Sequence, residues 1–515
     1  MHTHLDETLD PEAPAAAVQP PDLESAEQAV AAEATEAPGP ADTPEPPDTA
    51  EPVGVMDLAA TAPVESVDAV EGASDAPAAD EGTDSDEPTE PDETTEPDET
   101  TEPEAVAAPA LPSTVAELIA ATLRAAGVRI AFTVPGESFL PVLDALHAAG
   151  IRVVATRHEG GAAFAAEAYG QLTGRPAACL GTRAVGAANL AIGIHTATAD
   201  STPMFVLVGQ VDRSVRGREA FQEVDLVGTI GKLAKWAGEI DDPATAAATL
   251  EAAVRATVEG RPGPALLALP EDVLHLALPE DTRVPIVRSH PDAPAAGDVR
   301  AALHLLAGAD RPVILAGAGI LRARCSNDLV RFAELLHVPV IAAWRRGDVI
   351  PNDHPLYLGM AGYGSPAVVR ERIRTADALL VIGSRLGEVT TAGYTVPAPG
   401  QRWIHVDLEP REDAVGDSPA PERAIRADAR AFLRAAVARL KEAVLLAAPV
   451  AARDGYNGSD RAAWEAAVEV EGAAWDGPGV HPGRIVAELR RLLPDDAILT
   501  TDAGAFGGWA ARGFR

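Results

Sequence analysis

The chain has 515 residues, with 78 acidic against 41 basic side chains and a formal charge of −37. That balance repels phosphate backbones and argues against a nucleic-acid partner, and the opening MHTHLDETLD is too acidic and polar for a secretory leader. No apolar run approaches the ~20 residues of a membrane-spanning helix, and the two cysteines, Cys179 and Cys325, sit in apolar or helical surroundings as reduced core residues do, so no membrane partner and a cytoplasmic location are expected.

Residues 1–110 are mostly Ala, Pro, Glu, Asp and Thr, with 31 acidic residues and no Lys or Arg. Such a segment cannot bury enough apolar surface to offset its chain entropy, and a disordered acidic tail is expected. Thr89 to Glu104 repeats TEPDET, whose prolines and like charges keep it extended. A solvated spacer is the ordinary reading; an interaction tail for a basic partner is the sharper one.

Folding is expected to begin near Ser113. Thr114 and Glu117 form a capping-box pair, Val115, Leu118, Ile119 and Leu123 make a helical stripe, and Gly127 ends the helix. Strand Val128–Val134, helix Phe139–Ala149, strand Ile151–Thr156, helix Gly161–Thr173, strand Ala177–Gly181, helix Ala187–Ala199 and strand Met204–Val208 follow. Alternation of this kind predicts an α/β fold with a doubly wound parallel sheet over 111–278.

A Pro-, Asp- and Ala-rich linker is expected over 279–298. Alternation then resumes over 299–445 at Arg300–Leu306, Val313–Ala316, Leu329–Leu336, Val338–Ala342, Ala378–Ile382 and Trp403–Val406, predicting a second doubly wound domain. A second linker is expected over 446–479. In 480–515, His481-Pro482-Gly483-Arg484 starts a helix, and Ile498 to Gly504, containing Asp502, reads as the first strand and loop of a third domain.

Chemistry concentrates where the run Ile151, Val153, Val154 stops at Arg157-His158-Glu159 and Gly160-Gly161 opens an alanine-rich helix. Ionisable residues at a strand's carboxyl end lie where open α/β sheets bind ligands, although an acid there also serves as an ordinary helix-end charge. Around it stand Pro135-Gly136, Gly186 to Asn189, Asp200 to Pro203, Gly209-Gln210-Val211 and Ala220 to Glu223, in that order. Together, from about Ser113 to Leu274, these resemble the pyrimidine-binding domain of the acetolactate synthase and pyruvate oxidase family of thiamine-diphosphate enzymes.

The resemblance implies that Glu159 is the catalytic carboxylate, shifting the cofactor's aminopyrimidine to its imino form by sharing a proton with a ring nitrogen. It implies cofactor contacts at Pro135, Gly136, Gly186, Asn189, Gln210, Asp502 and Gly504, and substrate-facing roles for Arg183, Phe221, Gln222 and Lys235. The expected activity is decarboxylation of a 2-oxo acid with carboligation; the alternatives are a simple 2-oxo-acid or acyl-CoA decarboxylase and a non-catalytic scaffold subunit. The family commonly has Gly-Pro-Gly where this chain has Ala184-Val185-Gly186 after Arg183, which weakens a claim on pyruvate.

The second domain resembles the same family's middle domain, which binds FAD in some members. Gly317, Gly319, Gly359, Gly362, Gly383, Arg385 and Asp407 fall at the corresponding contacts, while Gly387-Glu388-Val389 departs from the family's acidic-basic run. The family holds magnesium on a Gly-Asp-Gly and a downstream Asn, absent from this sequence, so no metal ligand is expected within the chain and magnesium ligands are expected beyond residue 515. A third domain needs on the order of 150 residues, and the expectation is of an incomplete, inactive chain whose full-length form is a homodimer or homotetramer.

Overall fold

The computed structural model describes residues 111–288, 290, 292–442, 448–469, 475, 477–501 and 504–514. The acidic tail, the start of the second linker and Asp502 lie outside the described residues.

The first domain runs α1 (Val115–Ala125), β1 (Ile130–Thr133), α2 (Leu140–Ala148), β2 (Arg152–Ala155), α3 (Glu159–Thr173), β3 (Ala177–Thr182), α4 (Arg183–Asp200), β4 (Met204–Gln210), β5 (Trp236–Glu239), α5 (Ala246–Val258) and β6 (Pro264–Pro270). The capping box at α1 forms: Thr114 Oγ1 accepts from Glu117 N at 3.3 Å, and Glu117 Oε2 takes Ser113 N at 2.7 Å. The backbone N–H of Ser113 holds the Glu117 carboxyl below its ordinary range.

The six strands pair in parallel in the order β2-β1-β3-β4-β6-β5. Strands β4 and β6 are buried along their whole length, which is why they read as unbroken apolar runs. Alternate residues go to opposite faces. Phe205 and Leu207 join the helices α1, α2 and α5, whereas Met204, Val206 and Val208 join α3 and α4. Each fully buried Leu, Ile or Val contributes about 1.5–3 kcal/mol.

Because β2 lies on one side of β1 and β3 on the other, the winding reverses between β1 and β3. The crevice outside their carboxyl ends is the position such a sheet offers a ligand.

The second domain runs α6 (Ala296–Ala307), β7 (Pro312–Ala316), α7 (Ala318–Arg322), α8 (Ser326–Leu336), β8 (Val340–Ala342), β9 (Tyr357–Met360), α9 (Ala367–Arg374), β10 (Ala378–Ile382), β11 (Arg402–Asp407), β12 (Arg423–Arg426) and α10 (Ala429–Glu442). Its parallel sheet has the order β12-β11-β10-β7-β8-β9. Arginines of this domain meet the carbonyl ends of the first domain's helices: Arg324 Nη2 donates to Thr173 O at 2.8 Å and Arg385 Nη1 to Ala199 O at 2.7 Å, a favourable place for a cation.

Two expectations are corrected here. The stretch expected as a linker over 446–479 carries helix α11 (Ala448–Val468), packed onto the second sheet. Arg453 is buried and donates to Leu336 O, Leu306 O, Ala307 O and Ala309 O, and Trp464 stands edge-on to Tyr357 at 5.3 Å. The strand expected near Ile498 does not form: Ile498 is 89% exposed, and among the described residues no strand lies beside it. Among the described residues, helices α12 (Pro482–Leu492) and α13 (Ala505–Gly513) follow α11, the former starting where expected and capped by His481. Among the described residues no helix is long and apolar enough to cross a membrane.

Candidate active site

Glu159 is the first residue of α3, directly after the carboxyl end of β2. His158 caps the helix, its Nδ1 accepting from Gly160 N at 2.9 Å. The carboxylate thus sits in the positive field of the helix start, 7% exposed.

Asn189 Nδ2, from the second turn of α4, donates to Glu159 Oε2 at 2.9 Å. The other oxygen, Oε1, takes no donor among the described residues. It faces Gly186, where a Cβ would stand 3.6 Å away and collide with Gly181 at 2.6 Å. Packing of α3 on α4 brings these groups together, because a Cβ on Gly193 would lie 2.3 Å from that of Ala163 and only small residues allow the approach.

Across the crevice, Ser138 Oγ and Thr182 Oγ1 are 2.6 Å apart, tying the loop after β1 to the end of β3. Gly136 lies against Thr182 and Gly209 against Ser138. Pro135, Gly136, Glu159, Gly186 and Asn189 therefore gather at the carboxyl edge of the sheet, as the sequence suggested.

Gln210, at the end of β4, is buried with its amide committed: Nε2 donates to Val224 O at 2.7 Å and Oε1 accepts from Val211 N at 2.8 Å. Gln222 has φ +62° and accepts Ala184 N, which brings its loop to the start of α4. Phe221 is 73% exposed.

Arg183, at φ +45°, reaches Glu271 Oε2 at 3.2 Å and Glu137 Oε1 at 3.6 Å, joining the loops after β6, β3 and β1. Lys235 stands at the opposite, amino edge of the sheet. Its ammonium donates to Glu259 O and Arg261 O at 2.8 and 2.7 Å, and burial lowers its pKa. Gly504 is exposed in the loop before α13, away from any described strand.

The structure adds partners that spacing could not reveal. Glu137 and Glu271 are far from Arg183 in sequence, and Ser138 and Thr182 come from separate loops. A separate cavity, of about 580 Å³, away from Glu159, is lined by Arg261, Arg322, Arg346, Arg385, Asp200 and Asp407 among others.

Of the residues expected to hold FAD, Gly383, Arg385 and Asp407 line this cavity. Arg385 is spent on Thr198 O and Ala199 O, and Asp407 on Arg261 at 3.2 Å and Glu409 N at 3.0 Å. Gly317 and Gly319 pack backbone to backbone with Gly383, while Gly359 and Gly362 are filled by Trp464 and Trp344. Among the described residues no group of three or more His, Cys, Asp or Glu could hold a metal.

The arrangement, a half-pinned carboxylate facing a glycine-floored crevice at a switch point, fits the nitrogen edge of an aromatic heterocycle. Two family descriptions match the chain: the N-terminal thiamine pyrophosphate-binding domain of thiamine pyrophosphate enzymes over residues 113–229, and their central domain over 299–436.

A probable acetolactate synthase large subunit of Methanocaldococcus jannaschii is 32% identical over 417 residues, covering 78% of this chain and 68% of the relative. The acetolactate synthase large subunit of Parasynechococcus marenigrum is 32% identical, covering 76% and 64%. A sulfoacetaldehyde acetyltransferase of Rhodobacter capsulatus is 30% identical, covering 76% and 68%. The chain belongs to the thiamine-diphosphate enzymes of the acetolactate synthase large-subunit family.

Proposed function

We propose that this protein decarboxylates a 2-oxo acid and transfers the acyl unit to an acceptor carbonyl, with thiamine diphosphate as cofactor and Glu159 as the catalytic acid. The observation that carries the reading is the carboxylate itself. Asn189 fixes one oxygen of Glu159 and leaves the other facing the space above Gly186, as a ring nitrogen would require.

Thiamine diphosphate, when bound, supplies the electron sink that decarboxylation needs. This chain's own residues do the rest. Glu159 holds and returns a proton at Oε1, Asn189 keeps the carboxylate oriented, and Gly136 and Gly186 let the backbone close on the cofactor's aromatic end. The described residues give no ligand set for magnesium, which in this reading holds the diphosphate end.

Thiamine-diphosphate enzymes of this family bring two subunits together at the cofactor, and we infer the same here. Phe164 of α3 and Val185 and Ile192 of α4 stay 43%, 44% and 56% exposed around the site, an apolar face suited to a second copy of the chain.

The test is Glu159→Gln in the protein as its host produces it. Turnover of 2-oxo acids is expected to vanish while the melting temperature holds, and near-normal turnover would sink the assignment. Product analysis of the unmodified protein separates carboligation, which joins two carbonyl units, from simple decarboxylation, which releases an aldehyde.

A further inference from the structure

Arg183 is not explained by the cofactor. Its side chain is only 15% exposed, its Nε is buried without a hydrogen-bond partner among the described residues, and it stands three residues, about 4.5 Å of helix rise, before Gly186 at the floor of the crevice. Its backbone takes a left-handed φ of +45°, a costly conformation for a residue with a side chain. The first turn of α4 has no side-chain cap, so its amide dipoles add to the guanidinium charge.

The two acids that accompany Arg183 are unequal. Glu271 approaches Nη2 at 3.2 Å, whereas Glu137 lies 3.6 Å from Nη1 with its side chain 62% exposed. A contact so long and so wet contributes little. Glu137 can swing away and be replaced at Nη1 by another anion.

A guanidinium placed on the carboxylate that is to leave as carbon dioxide would stabilise the ground state and slow the reaction. A cation in this position helps only if it holds an anionic group that survives. We propose that Arg183 is a specificity-determining residue that selects a 2-oxo acid carrying a second, remote anionic group, with Glu137 occupying that place when substrate is absent. The inference rests on the 2-oxo-acid reading above, and it sets this chain apart from an enzyme for a simple monocarboxylate.

The experiment compares 2-oxoglutarate with 2-oxopentanoate, equal in carbon count and differing in the terminal carboxylate, using the protein as its host produces it with thiamine diphosphate and magnesium. The wild type is expected to favour 2-oxoglutarate in kcat/KM by about tenfold or more, the scale of a charge-assisted hydrogen bond. Arg183→Gln should collapse that preference through KM rather than kcat, and Glu137→Gln should enlarge it by removing the competing carboxylate.

A wild type with no preference, or an Arg183→Gln variant that keeps it, overturns the proposal. If Arg183→Gln does not fold, Glu137→Gln decides alone, an unchanged preference counting against it. Calorimetry with unreactive glutarate and pentanoate separates the two readings. Tighter glutarate binding that Arg183→Gln abolishes, with neither oxo acid turned over, would overturn the catalytic reading and leave the anion site standing; equal binding of the two would overturn the site.

Discussion

Asn189 donates to one oxygen of Glu159 at 2.9 Å, and it can do so because α3 and α4 touch through Ala163 and Gly193. The Glu159 carboxylate is thus positioned by a helix crossing as much as by its own strand end.

Asn189→Ala removes the side-chain donor that holds Glu159 and frees the carboxylate to rotate. A hydrogen bond to a charged group contributes about 1.5–3 kcal/mol, or roughly a 10–100-fold effect. Turnover and thiamine-diphosphate affinity should fall on that scale while the circular-dichroism melt shifts little. Unchanged cofactor affinity would mean that Glu159 is held by something else.

Gly193→Ala places a methyl group 2.3 Å from the Cβ of Ala163. Overpacking of this kind costs about 1–3 kcal/mol, visible as an earlier urea midpoint, and spreading the helices should also lower turnover by moving Asn189. Ala163→Gly in the same chain should restore part of both losses. Strict additivity of the two changes would show that the helices do not meet there.

Much of this was legible in the sequence, and the reason differs from element to element. Strand Ala378–Ile382 is where its apolar run predicted, because a central parallel strand is buried on both faces and leaves no ambiguity of period. Glu159 stood out because β-branched residues end abruptly before it. Helix α11 was hidden by Asp454, Gly455, Asn457 and Gly458, poor helix formers that tertiary contacts override: Asn457 reaches Arg372 and His337 O, and Arg453 bonds four carbonyls.

For the second domain the sequence left the role of each glycine open. A glycine kept for backbone contact with another glycine, as Gly317 with Gly383, looks the same in sequence as one kept for a ligand. Arg385 gave no sign of its contact with the carbonyl end of α4, which lies 186 residues away.

His405 is 1% exposed, with Nε2 on Ser384 O at 2.9 Å and Nδ1 accepting Arg411 N at 2.8 Å. Burial pushes its pKa below the usual 6.5, against the opposing pull of Asp407. The unfolded chain therefore binds a proton that the folded one refuses. Its contribution to stability is complete above 6.5 and is lost as pH falls below that value toward the folded pKa. The urea midpoint should drop across that acid window, and His405→Gln should flatten the drop. A drop of the same size in the variant would assign it to other groups.

Arg453 tests whether α11 is integral to the second domain. Its guanidinium, 2% exposed, accounts for the final carbonyls of both α6 and α8, groups that a helix end leaves without partners. Arg453→Met keeps most of the volume but strands those carbonyls in the interior, at about 1–3 kcal/mol for each buried group left unsatisfied. The melting temperature should fall by several degrees, about 2–4 °C for each kcal/mol in a domain of this size. Amide exchange should rise in α11 and at the ends of α6 and α8 together. Loosening confined to α11 would show instead that the helix is an attached arm, and that the second domain closes without it.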